Sequence, residues 1–182
     1  MGNKHRLVVV VAMVMLGLTA ASACGPSSAQ VARAREARYQ GTRDEVFLAA
    51  MQAVEPSYKV FRSDPETATF ITEGRWYEAD GTYADNANAD RDTTGGAVNL
   101  TQDGATFVGF VVEVVGAAPP FQVVVRYSAH QVRSGYSAPY KFLPDDPQLP
   151  GWIRGKVDNL QLEVHQRMKG KFISPPGVVA GS

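Results

Sequence analysis

Between Thr42 and Lys169 the apolar positions of the chain change period twice. Phe47, Ala50, Met51 and Val54 recur at helical spacing, and Thr42-Arg43-Asp44-Glu45 before them fits a capping box. The pattern predicts an amphipathic helix that starts at Thr42 and ends before Pro56. The period then falls to two. Tyr58 to Ser63 reads as a strand, Asp64-Pro65-Glu66-Thr67 as a turn, and Ala68 to Glu78 as one long return strand. Alternation puts Phe70 and Trp76 on one face of that strand and Glu73 and Arg75 on the other, with Gly74 marking a bulge or a close approach. Two further strands come next. Val108, Phe110, Val112 and Val114 form an apolar face, and so do Phe121, Val123, Val125, Tyr127 and Ala129 across the Gly116 to Pro120 turn. Ile153, Val157, Leu160, Val164 and Met168 then return to spacings of three and four, which predicts a helix over 152–169 lying on the sheet.

These elements predict an α+β fold: an antiparallel four-stranded meander with two helices packed on one face. The opposite sheet face is then open. By alternation it carries Ile71, Glu73, Arg75, Tyr77, Val111, Glu113, Val124, Arg126 and His130, apolar residues set among opposite charges. Ile71, Arg75, Tyr77, Val111, Val124 and Arg126 are therefore the expected partner surface, with Tyr and Arg as anchors. Two connections stand out. Residues 79–104 are rich in Asp, Asn, Gly and Thr, and read as a mobile, metal-free loop. With Asn88 as first ligand, an EF-hand register puts Thr93 where glycine belongs and Asn99 where a bidentate glutamate belongs. Residues 134–151 hold Pro139, Pro144, Pro147 and Pro150 among Tyr136, Tyr140 and Phe142, and read as an ordered loop in which Asp145 and Asp146 are turn residues.

Ahead of this domain the pattern is of another kind. Lys4, His5 and Arg6 form a basic head, Leu7 to Leu18 is an apolar run, and Thr19 to Ala23 is small and uncharged up to Cys24, the only cysteine. This succession predicts a signal peptide over 1–23. Its apolar run is shorter than the ~20 residues of a membrane span. Cleavage before Cys24 would leave 159 of the 182 residues, enough for one domain, expected over 39–173, with a flexible tail over 174–182. The chain is 45% hydrophobic and 20% charged, an ordinary globular balance. Two of its 18 basic residues, Lys4 and Arg6, fall in the leader, leaving 16 against 18 acidic ones and no electrostatic reason to expect nucleic acid. Residues 24–38 read as the lipidated terminus and a polar tether. A dozen flexible residues would hold the domain roughly 20 Å from a bilayer. Arg33, Arg35, Arg38 and Arg43 read as a solvated helix face.

At Ala21-Ser22-Ala23-Cys24 the chain resembles the lipobox of bacterial lipoproteins. The resemblance implies diacylglycerol on the Cys24 thiol, cleavage before it, and acylation of the new amino terminus with a fatty acid such as palmitate. Ala21 stands where the family prefers leucine, and Ala21-Ser22-Ala23 also satisfies the rule of ordinary secretory cleavage, so soluble secretion is the alternative. Gly25 replaces the aspartate that the family uses for inner-membrane retention, which implies the periplasmic face of the outer membrane.

Over Tyr39–Trp76 the domain resembles the repeated domains of BamC-type outer-membrane assembly lipoproteins. The likeness rests on a helix, a strand, and Ser63-Asp64-Pro65-Glu66-Thr67-Ala68-Thr69-Phe70-Ile71-Thr72 leading into Trp76. It implies a helix-grip-like fold and a non-catalytic accessory role in the envelope, with an envelope protein as partner. No nucleophile elbow, zincin helix, P-loop or dinucleotide fingerprint occurs, and no cofactor is expected. His130 falls on a polar strand face, and Glu163 and His165 fall on different helix faces, where they cannot share an ion. The leading expectation is a lipid-anchored binding or scaffold module. The alternative is a periplasmic carrier of apolar ligands, which would show a void of several hundred Å³ lined by Phe70, Trp76, Phe110, Tyr127 and Leu160.

Overall fold

The computed structural model describes residues 26–84 and 103–173. The leader, Cys24, most of the 79–104 loop and the 174–182 tail lie outside the described residues. The element order is α1 (Ser28–Glu36), β1 (Arg38–Tyr39), α2 (Arg43–Val54), β2 (Val60–Asp64), β3 (Thr69–Thr72), β4 (Arg75–Tyr77), β5 (Thr106–Val115), β6 (Gln122–Gln131), β7 (Tyr140–Lys141), α3 (Gly151–Arg167) and β8 (Phe172–Ile173). The α+β class stands. The four-stranded meander and the two helices do not: the main sheet has six strands and the described residues hold three helices.

The sheet runs β2-β3-β5-β6-β7, all antiparallel, with β4 pairing a second stretch of β5. Its inner face carries Phe70, Val108, Phe110, Val112, Val114, Val123 and Ala129. These pack with Val46, Phe47, Ala50 and Val54 of α2 and Ile153, Leu160 and Val164 of α3 in one core. The Thr42 capping box is made as its residue types require, with the hydroxyl accepting from the Glu45 N–H and the carboxylate from the Thr42 N–H. Arg167 near the end of α3 donates to the Ala53 carbonyl at 2.7 Å, satisfying one of the last carbonyls of α2.

The return strand is broken where Gly74 stands, and the break reverses the faces of the residues beyond it. Phe70 faces Val112 across β3 and β5, but Trp76 faces Phe107, so β4 carries one extra residue relative to β3. A one-residue shift exchanges inside for outside. Tyr77 and Arg75 therefore face inward with Thr106 and Val108, while Trp76 lies outside against Phe107, ring centroids 5.2 Å apart. Trp76 does not share a face with Phe70, and Arg75 and Tyr77 are not on the open face; both expectations assume one unbroken strand. The Phe107 ring covers Gly74 so closely that a Cβ there would stand 2.1 Å from it. The Thr72 hydroxyl accepts from the Phe110 N–H at 2.9 Å, so the bulge leaves no orphan donor at that point.

Residues 28–38 belong to the domain and not to a tether. α1 begins with a capping box at Ser27 and buries Ala34 against α3. After it, β1 pairs with β8 and bridges Phe121, the residue before β6, through reciprocal hydrogen bonds with Tyr39. The Tyr39 hydroxyl shares a hydrogen bond with His165 Nδ1 at 3.2 Å, with Phe172 packed edge-on to the imidazole. Burial, with Arg33 and Lys169 nearby, holds the His165 pKa below its ordinary value, and burial raises that of Tyr39. Both are therefore held neutral near pH 7, and the depressed histidine favours the fold above its unfolded pKa and withdraws that support as the pH falls.

Gln161 joins these parts. Alternate residues of β6 turn their backbone groups away from β5, where no strand covers Val123 or Val125. The buried Gln161 amide takes the place of that strand. Its Oε1 accepts from the Val125 N–H at 3.0 Å, and its Nε2 donates to the Val123 carbonyl at 2.9 Å and the Ala34 carbonyl at 3.2 Å. Gln161→Leu leaves all three backbone groups without this partner in a dry site, at about 1–3 kcal/mol for each that water cannot reach. We expect a loss of about 3 kcal/mol in urea unfolding, against less than about 0.5 kcal/mol for the exposed Gln166→Leu on the same helix. Equal effects of the two variants would remove Gln161 from this role.

Candidate functional site

Beyond Gln161 the free side of β6 opens into a groove. β1 covers the edge at Phe121, and the chain around β7 covers it from Ala129, whose carbonyl accepts from the Phe142 N–H, so Tyr127 stands in the gap with no strand beside it. The groove encloses about 270 Å³. Its floor is Val125 and Tyr127 of β6 with Val157 of α3. Pro144, Asp145 and Leu149 form the loop side, and Arg35, Arg126 and Arg154 stand around the rim.

The loop wall is ordered, as its prolines and aromatics predict. Phe142 and Leu149 are buried, and the Tyr127 hydroxyl donates to the Leu143 carbonyl at 2.6 Å. The Asp146 carboxylate is buried, accepting from the Tyr140 hydroxyl at 2.6 Å and the Gln148 N–H at 2.8 Å. Those bonds, the tyrosine first, hold its pKa below the usual carboxylate range. It is a turn-forming group, as expected. Asp145 lines the groove from a left-handed backbone conformation, φ 64°, which aspartate tolerates better than most residues.

The rim arginines are already engaged. Arg35 is paired with Asp158 of α3, Arg126 lies 3.3 Å from Glu113, and Arg154 reaches the Asp146 carbonyl at 3.5 Å. A mostly apolar floor, a gap in a β edge and a rim on which two of three guanidinium groups are paired with carboxylates make a contact surface suited to an extended segment. Among the described residues no three His, Cys, Asp or Glu side chains gather as a metal site. The calcium register at 86–99 lies outside the described residues.

Of the six expected partner-surface residues, the structure brings four together. Ile71 faces Val111 across β3 and β5, Val111 faces Arg126 across β5 and β6, and Val124 faces Glu113 beside them. Arg75 and Tyr77 are on the other side of the sheet, because the extra residue at Gly74 reverses β4. The open face instead gains Phe61, 75% exposed, and the Trp76–Phe107 pair. Cys24 lies outside the described residues. Sequence reasoning missed the groove. Its one usable signal is Gln161, four residues before His165 and directly after Leu160, which widens the buried face of α3 beyond its apolar stripe.

The chain matches no family model, no curated protein and no solved structure. Geometry is therefore the ground on which function rests. Val111 and Val124 are half-exposed on the open face, so Val111→Glu and Val124→Lys are each expected to keep native far-UV dichroism and to change stability by less than about 1 kcal/mol. Failure of either variant to fold would show that this face is covered.

Proposed function

We propose that this protein is a lipid-anchored cell-envelope lipoprotein, held at the periplasmic face of the outer membrane, that acts as a non-catalytic binding or scaffold module. The observation that carries the reading is the position of the folded domain relative to Cys24. Only three residues separate Cys24 from Ser28, the first residue of a capped helix docked on α3. At most ~3.6 Å per residue, that linker reaches about 14 Å. Acyl chains on Cys24 would therefore hold the domain against the bilayer, closer than the roughly 20 Å a dozen-residue tether gives. A thiol in that position is suited to lipid: each buried CH₂ contributes about 0.8 kcal/mol, so two or three chains anchor without a membrane-crossing helix.

The scaffold reading is preferred to the apolar carrier because of how the core is filled. Phe70, Phe110 and Leu160, which would line a carrier's cavity in a helix-grip-like fold, are each 1% exposed or less and pack in the common core. The groove shares only Tyr127 with that expected lining. A partner protein in the envelope has two surfaces to meet: the groove at the β6 edge, and the open face with Ile71, Val111, Val124 and Arg126.

Intact mass of the protein extracted from membranes tests the anchor. The mass is expected to exceed that of residues 24–182 by two or three acyl groups and their glycerol. A mass equal to the bare chain would overturn the lipoprotein and promote soluble secretion.

A further inference from the structure

The register shift at Gly74 places a positive charge on the inner face of the sheet, and a second one meets it there. Arg75 projects over the Tyr58 ring, 4.6 Å from its centroid, and lies 5.9 Å from that of Tyr83. Lys156 of α3 sits 4.3 Å from the Tyr77 ring centroid and 5.7 Å from that of Trp152. The rings continue into one another, with Tyr77 to Trp152 at 5.3 Å and Tyr77 to Tyr83 at 5.9 Å. The cluster is reachable: Tyr83 is 47% exposed, and Arg75, Trp152 and Lys156 are half-buried.

Neither cation has a carboxylate within 4.0 Å among the described residues. Arg75 donates one hydrogen bond, to the Ser57 carbonyl at 2.9 Å, and Lys156 makes none to a described residue. In the groove, by contrast, Arg35 and Arg126 each have a carboxylate partner. Ring faces offset part of the cost of a half-buried cation, and the nearest carboxylate acting on this cluster, Glu163, is already paired with Arg167. The charge that Lys156 bears is disfavoured first by burial and then by Arg75.

We propose that Arg75 and Lys156 form a binding site for a small organic oxyanion, its carboxylate or phosphate head between the two cations and its flat body against Trp152 and Tyr83. The guanidinium supplies a planar fork of donors and the ammonium a compact charge, a combination suited to either head group. The aromatic walls favour a ring or another flat body over a bare inorganic ion. The site is independent of any lipid at Cys24, and it lies on the inner side of the sheet, away from the open face.

Titration of the full chain in detergent with benzoate, phenyl phosphate and neutral benzamide, read by Trp152 fluorescence in a Trp76→Phe background, tests the site. At least one of the two anions is expected to give a saturable shift that added salt weakens, and benzamide none. Comparing benzoate with phenyl phosphate identifies the preferred head group. Lys156→Gln and Arg75→Gln are each expected to weaken binding about tenfold or more, the value of a charge-assisted hydrogen bond. If Arg75→Gln fails to fold, Lys156→Gln decides alone. No saturable shift with either anion, equal binding of benzamide, or unchanged affinity in a natively folded Lys156→Gln would overturn the proposal.

Discussion

A sheet edge buried against a helix must have its backbone groups satisfied, and in this protein one side-chain amide does much of that work. The Val125 N–H and the Val123 carbonyl both point at α3, where a neighbouring strand is missing. Gln161 supplies a donor and an acceptor in the positions a strand residue would use, and its second N–H reaches the end of α1. One residue thus fixes three things: how α3 lies on the sheet, where α1 docks, and where coverage of the β6 edge stops. The groove is the uncovered remainder of that edge, between the Gln161 amide and the start of β7.

A second constraint is the extra residue at Gly74. It reverses β4, which moves Trp76 outward to stack on Phe107 and brings Arg75 and Tyr77 inward beneath α3. The outer face loses Arg75 and Tyr77 but keeps Arg126, and the inner face acquires a cation among aromatic rings. The Trp76–Phe107 pair on the open face and the inward placement of Arg75 both follow from that single shift.

The parts of the fold legible in the sequence are those with sustained period. α2, β5, β6 and α3 are long enough for alternation or helical spacing to outweigh local preference, and their core faces agree with burial at Phe47, Phe110, Val123 and Leu160. α1 reads as a tether because Ser28–Glu36 alternates alanine with arginine and has little apolar face, so its place depends on Gln161 and Asp158 far along the chain. β7 is two residues long and carries no period. Gly74 announces a bulge, but alternation continued across it assigns the wrong faces to β4. Apart from Gln161 the groove leaves no signal in the sequence, because its walls come from α1, β6, the proline-rich loop and α3, and only tertiary structure brings them together. The resemblance to a lipobox at Ala21-Ser22-Ala23-Cys24 is of the opposite kind, a contiguous pattern that needs no tertiary structure to be read.

The central claim is that Gln161 closes the free edge of β6, and the amide most directly concerned belongs to Val125. Native-state hydrogen exchange at this one N–H measures the closure without any substitution. If Gln161 seals the edge, the Val125 amide exchanges only with global unfolding, as slowly as that of Phe110 in the sheet interior. Exchange of Val125 at the rate of an open edge, while Phe110 remains protected, would contradict the account.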